Sequence, residues 1–263
     1  MNASAIRPPR FRGDAMADGR TGDDRPVRWH VAEEVPAALT FNQESSVVMM
    51  VTPADLEDFA WGFAVSEGMI ASAADILGVQ ALASTNGYVI DIRARALTPR
   101  AGRERAIAGR TGCGLCGVES LDDAVRPPRP VVQRFGIDGA AVGHALAALP
   151  EHQPLNRLNH SVHAAAWCSP AGDILLARED VGRHNALDKL LGALLRDGLD
   201  PADGFVVLSS RCSFELVQKA SALGVPCLAT VSAPTTLALS MARDAGMVLA
   251  CRAPDGVVLF WGA

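Results

Sequence analysis

The last hundred residues constrain the fold most. Short apolar runs at residues 162–167, 205–208, 227–231 and 248–251 alternate with segments of helical periodicity. The segment 185–196 sets Leu187, Leu190, Leu191 and Leu194 on one side, and the segments 213–223 and 235–245 run into helix-stopping residues, Gly224 with Pro226 and Gly246. A strand buried on both faces reads as a continuous apolar run. The alternation therefore predicts βαβ units around a largely parallel sheet, an α/β fold. Residues 174–177 are expected to pair with 162–167 through Pro170-Ala171-Gly172, and 257–260 to form the last strand. A helix is expected at 138–149, with Val142, Leu146 and Leu149 on its stripe and Pro150 at its stop.

The half before it reads as α+β. Val27, Trp29 and Val31 alternate with polar residues, and 39–41, 47–51 and 88–92 look like further strands. Thr52-Pro53-Ala54-Asp55 opens a helix with Thr52 as its cap, Leu56, Phe59, Ala60 and Phe63 on its apolar face and Gly68 at its end. Ser120 with Asp123 reads as a short capped helix. Residues 1–25, rich in Arg, Asp, Gly and Pro, read as a flexible tail. Residues 26–130 then form an α+β domain and 131–263 the α/β domain, with Pro127, Pro128 and Pro130 near the boundary.

Composition narrows the class. The chain has 263 residues, with 24 Lys and Arg against 29 Asp and Glu, a net charge of −5. That balance argues against a non-specific nucleic-acid binder, and aromatics at 5%, with Tyr88 the single tyrosine, leave little surface for stacking bases. No apolar run approaches the roughly 18 residues of a membrane span. The N-terminal MNASAIRPPRFRGD is positive but lacks the apolar core of a secretory signal. Six cysteines are too sparse for a disulfide scaffold. The expectation is a cytoplasmic protein with reduced thiols, binding neither nucleic acid nor membrane.

The sharpest local feature is Cys113-Gly114-Leu115-Cys116, in a segment, 98–119, with five glycines and the arginines Arg100, Arg103, Arg105 and Arg110. Four readings compete. A zinc site needs a second ligand pair, but Cys168, Cys212, Cys227 and Cys251 are isolated in sequence. A thioredoxin-like pair needs a helix starting at the first Cys, which Gly112, Gly114 and Gly117 oppose. Two inert buried thiols fit poorly with so polar a stretch. A nucleophilic or sulfur-carrying thiol on a mobile loop needs a thiolate and freedom to travel. The arginines favour the first and the glycines the second. The other four cysteines read as small core residues, Cys212 less firmly since it lies beside a helix start.

Three strand-to-helix connectors form a second constellation. They are Arg178-Glu179-Asp180-Val181-Gly182-Arg183-His184-Asn185, Ser209-Ser210-Arg211-Cys212-Ser213 and Ser232-Ala233-Pro234-Thr235-Thr236. In a parallel sheet such connectors face one edge, where ligands bind. Together Arg183, His184, Ser210, Arg211 and Ser232 suggest a rim for a phosphate-bearing ligand, although each connector alone is ordinary capping. Neither GxGxxG nor GxxxxGK[ST] is present. His163, and Ser66-Glu67-Gly68 at a helix end, read as structural.

Six ordered blocks from about residue 27 onward carry a resemblance: TPADLEDFAWGFAVSEGMI, GRTGCGLCGVESL, HAAAW, REDVGRHNALDKLLGAL, SSRCSFELVQKA and VSAPTTLA. In these the chain resembles the FdhD family of formate dehydrogenase accessory sulfurtransferases. The resemblance implies a homodimer that takes persulfide sulfur from a cysteine desulfurase. It passes the sulfur to the molybdenum (or tungsten) bis-pyranopterin guanine dinucleotide cofactor, bound as substrate, which then enters the formate dehydrogenase apoenzyme. Cys113 matches the family's persulfide carrier and Cys116 its second cysteine. The second half resembles the cytidine-deaminase fold. A cofactor-binding stretch falls on Ala250, Cys251, Arg252, Ala253, Pro254 and Asp255. The chain departs from the family at His160-Ser161, where a Gly-Gly pair is frequent, and at Ala250, where an aromatic is frequent. The deaminase zinc signature is absent, and no zinc is expected. Two rivals remain: a chaperone that delivers the cofactor without transferring sulfur, and a dithiol oxidoreductase working through a Cys113–Cys116 disulfide.

Overall fold

The computed structural model describes residues 13–99 and 126–261. Cys113, Cys116, the helix expected at 120–123 and residues 1–12 lie outside them. Asp14–Arg20 (β1) and Pro26–Ala32 (β2) form an antiparallel ribbon. The expected tail is therefore a strand and a turn from Asp14 onward. Arg20 pairs with Asp24 and the Thr21 hydroxyl with Asp23, so the charged composition belongs to an exposed hairpin.

Val35–Phe41 (β3), Glu44–Val51 (β4), Ile76–Ser84 (β5) and Gly87–Ala94 (β6) build a sheet in the order β4-β3-β6-β5. Helix α1, Leu56–Ser66, covers one face. Phe59 and Phe63 pack there with Leu39, Phe41, Ile90 and Ile92. Thr52 does not cap this helix. Asp55 holds the cap position with φ 52° and no side-chain cap bond. Thr52 is buried instead, and its hydroxyl accepts from the N–H of Val181 in the other half of the chain.

The second half contains α2 (Gly139–Ala148), α3 (Pro154–Asn159), β7 (His163–Cys168), β8 (Ile174–Asp180), α4 (Arg183–Arg196), β9 (Phe205–Leu208), α5 (Phe214–Ala222), β10 (Cys227–Thr230), α6 (Thr236–Ala245), β11 (Val248–Ala253) and β12 (Gly256–Phe260). The strand order is β12-β11-β10-β9-β7-β8. The α/β class holds, but the sheet is mixed rather than largely parallel. Only the β9–β10 and β10–β11 pairings, between strands joined by helices, are parallel. The β7–β8 hairpin and the fold-back of β12 make the other pairings antiparallel. Alternate residues fill two layers. Val206, Leu228 and Leu249 pack with Leu190 of α4, Leu216 of α5 and Met241 of α6; Ala166, Val207, Ala229 and Ala250 pack with Val142 and Leu146 of α2.

The halves join where α1 crosses α4. A Cβ on Gly62 would lie 1.8 Å from the Asp188 carbonyl oxygen, and one on Gly192 1.8 Å from that of Asp58. Only glycine permits that approach. Three polar clusters surround the crossing. Asp58 takes Arg178 and Arg196. Lys219 takes Asp188 and Glu67. Lys189 takes Asp180 at 2.7 Å, both side chains fully buried.

Candidate functional site

The connectors converge as the alternation implies. His163, at the start of β7, pairs with Asp180 at the end of β8; Thr230 aligns with Leu208 on one side and Cys251 on the other. The segments after β8, β9, β10 and β11 therefore share one sheet edge, and with them Arg183, His184, Ser210, Arg211, Ser232 and Arg252. Arg183 and His184 stand in the first turn of α4, one and two residues beyond Gly182 at its cap position. Cys212 forms an isolated bridge with Pro234, and the Thr235 N–H donates to the Cys212 carbonyl, which ties the second connector to the third.

The edge carries positive charge around His163. Burial, and then the charges of Arg183 and His184, push the His163 imidazole below its ordinary value, although Asp180 opposes them. Ser209, absent from the expected rim set, accepts the Ala164 N–H at 2.8 Å and lies 3.5 Å from His163 Nδ1. Ser210 is buried and donates to the neighbouring Arg211 carbonyl. Arg211 and Ser232 are exposed.

Glu215 is the residue that motif reading misses, because a Glu in the first turn of a helix is ordinary. Its carboxylate lies 3.9 Å from His184 Nε2. Burial works against its charge, but His184, Ser213 and the local backbone outweigh burial and hold the carboxyl at about 2. A depressed folded-state value stabilises the fold above the ordinary value of 4.5 and loses that contribution as pH falls toward 2. Acid unfolding of Glu215→Gln and the wild type is expected to show a stability gap that closes between about pH 5 and about pH 2. A gap independent of pH would contradict the assignment.

The stretch 250–255 is only partly available to a ligand. Ala250 and Cys251 are inside the sheet, at 1% and 6% exposure, and the Ala250 carbonyl accepts from the Thr230 hydroxyl. Within the expected cofactor-binding stretch, burial therefore takes these two side chains out of reach of a ligand. Ala250 packs under α2, as its apolar strand position requires. Arg252 is exposed, yet its Nη2 donates to the Leu146 carbonyl at 2.6 Å, on the last turn of α2. Pro254 and Asp255 form the exposed turn between β11 and β12, next to Ala253.

Four of the six thiols are fully described, and all four are buried. Burial pushes Cys168 and Cys212 up to about 12 and raises Cys227 and Cys251 as well. None supplies a thiolate at neutral pH. Among the described residues, no three His, Cys, Asp or Glu side chains group as metal ligands, and no helix is long and apolar enough to cross a membrane.

The model of the FdhD/NarQ family matches residues 32–259. The sulfur carrier protein FdhD of Chromobacterium violaceum is 49% identical over 238 residues, 88% of each chain. That of Bordetella bronchiseptica is 49% identical over 222 residues, covering 84% of this chain and 80% of the relative. The crystal structure of a protein from Desulfotalea psychrophila, assigned as a formate dehydrogenase accessory protein, superposes with a TM-score of 0.72 over 94% of this chain and 96% of its own, at 24% identity, which speaks for the fold. With a family model spanning most of its length and relatives at nearly half identity, the chain belongs to the FdhD/NarQ family.

Proposed function

We propose that this protein is a cytoplasmic sulfur carrier in formate dehydrogenase maturation, with Cys113 as the carrier. The burial of Cys168, Cys212, Cys227 and Cys251 is the observation that carries the assignment. A carrier needs an accessible thiolate, and only the Cys113–Cys116 pair remains among the six cysteines. Relatives at nearly half identity bear the name sulfur carrier protein. In the first step the Cys113 thiolate attacks the outer sulfur of a cysteine desulfurase persulfide. The S–S bond breaks, the desulfurase thiolate leaves, and Cys113 holds the persulfide, with no net oxidation.

The acceptor is the molybdenum or tungsten bis-pyranopterin guanine dinucleotide cofactor, its phosphates held by Arg183, His184, Arg211 and Ser232 on the rim of a cytidine-deaminase-like domain within a homodimer. Delivering sulfide from a persulfide requires two electrons. Cys116 supplies them by attacking Cys113: sulfide leaves to the metal, a Cys113–Cys116 disulfide forms, and a cellular dithiol reduces it. Distance does not forbid the transfer. Arg126, the first described residue after the thiol segment, touches Gln218 on α5, about 6 Å along that helix from its rim end at the 1.5 Å rise per residue. Cys113 is 13 residues from Arg126, a contour of about 40 Å.

Mass mapping of labelled sulfur tests the assignment. After incubation with a cysteine desulfurase and labelled cysteine, and digestion without reductant, the label is expected on the Cys113 peptide. No label on either cysteine of the pair, with the desulfurase active, would favour a cofactor-delivering chaperone.

A further inference from the structure

Three consecutive carbonyls at the C-terminal end of α1 are taken by the residues flanking the thiol segment. On the entering side, the Thr98 hydroxyl donates to the Gly68 carbonyl at 2.6 Å, and the Thr98 N–H to that of Met69 at 3.0 Å. On the leaving side, Arg126 Nη1 donates to the Glu67 carbonyl at 2.9 Å and Nη2 to the Glu67 carboxylate at 3.0 Å. The last turn of α1 contains no basic residue, so Arg126 brings the cation that a helix C-terminus favours.

The grip is built into the junction of the halves. Lys219 Nζ lies 2.7 Å from the other Glu67 oxygen and 2.8 Å from Asp188, and donates to the Ser66 hydroxyl at 3.1 Å. Two carboxylates and two cations thus meet where α1, α4 and α5 touch. The Arg126 and Glu67 side chains are only 25% and 20% exposed, which separates the pair from a solvated surface bridge. Gly68 turns with φ 70°, and an added Cβ there would lie 3.4 Å from Arg126 Nη1.

We propose that Glu67, Arg126 and Thr98 are positioning residues for the carrier thiols: they fix both ends of the segment 99–125 at one point, a set distance from the rim. The inference rests on the carrier assignment of Cys113. Segment length alone does not account for the expected effect. Without the Arg126 contacts the next backbone tie is Val131 to Ala245, which extends the segment from 27 residues to 32. On a −3/2 power law that changes the effective concentration by only about 1.3-fold. The clamp acts by setting where the segment starts and in which direction it leaves. Misplacement of a reacting group costs far more than dilution.

Arg126→Met and Arg126→Lys, in the full-length protein, test this. A spin label on Cys113 in a Cys116→Ser background, with a second on Leu237→Cys, an exposed site on α6, reports the distance distribution by electron–electron dipolar spectroscopy. The distribution is expected to broaden about twofold in Arg126→Met and to recover in Arg126→Lys, which keeps the charge. In the protein with both native cysteines, sulfur loading of Cys113 stays near wild type, while formate dehydrogenase maturation falls about tenfold or more. An unchanged width overturns the proposal, as does a maturation loss no larger than the roughly 1.3-fold length effect. Thr98→Val removes only the hydroxyl contact, with the same expected broadening, and serves if Arg126→Met fails to fold. The distance measurement needs no sulfur chemistry, so failure of Cys113 to load would count against the carrier assignment alone.

Discussion

Replacing Lys189 by Met is expected to destabilise the protein by about 3–5 kcal/mol, which is a drop in Tm of roughly 6–20 °C for a chain of this size. Lys189 and Asp180 are both fully buried, 2.7 Å apart. The ammonium also donates to the Thr52 and Glu179 carbonyls at 2.9 and 3.3 Å. Methionine fills nearly the same volume but leaves the Asp180 carboxylate in the interior without its cation. Three N–H donors remain on that carboxylate, from Thr52, Gly182 and Asn185, and they place the cost toward the lower end. Adding Asp180→Asn to Lys189→Met removes the orphaned charge and is expected to return part of the loss. Urea unfolding of the two variants measures both effects. A single-variant loss below about 1 kcal/mol would mean that the pair is incidental to the joint. The consequence reaches the rim, because Asp180 holds the Gly182 N–H and the Asn185 side chain on either side of Arg183 and His184.

That joint also marks where sequence reasoning stops. The Leu187, Leu190, Leu191 and Leu194 stripe was legible because helix periodicity is local, and all four side chains are buried. The convergence of the connectors was legible because connectors between helices and parallel strands must share an edge. Thr52 was misread because its partner, Val181, is 129 residues away. Nothing local distinguishes a hydroxyl that caps its own helix from one that spans two halves of a chain. β5 escaped notice because Ile76–Ser84 holds Gly78 and two alanines where strands are usually signalled by bulky branched residues. The polarity of β1 concealed a ribbon whose order comes from its partner strand. Ala250 and Cys251 matched a binding stretch in one dimension, yet their side chains complete the interior of the sheet. Lys189 lay in the helical segment 185–196 with nothing local to mark it as buried, and only the folded chain shows it sealed between the halves.

Cys113→Ala is expected to abolish formate dehydrogenase maturation, a loss of about 100-fold or more, because the four core cysteines are buried and a Cys116 left alone has no second thiol to release its sulfur as sulfide. The four buried cysteines make this a sharp test. Each, changed singly to Ala, removes a sulfur that burial keeps as the neutral thiol, and each should cost some stability but leave maturation within about twofold. Loss of maturation in one of these folded variants, with Cys113→Ala active, would move the carrier into the core and overturn the assignment. Cys116→Ala separates the two chemical steps. Loading requires only the Cys113 thiolate, so labelled sulfur still reaches that peptide. Release as sulfide requires two electrons, and the thiol that would supply them is gone. The variant should therefore accumulate the Cys113 persulfide while maturation fails, and added dithiol should restore part of the transfer. If Cys116→Ala loads and delivers normally without reductant, the electrons come from outside the pair. Cys113 would then act as the sole thiol of the cycle, with Cys116 guarding it against oxidation between turnovers.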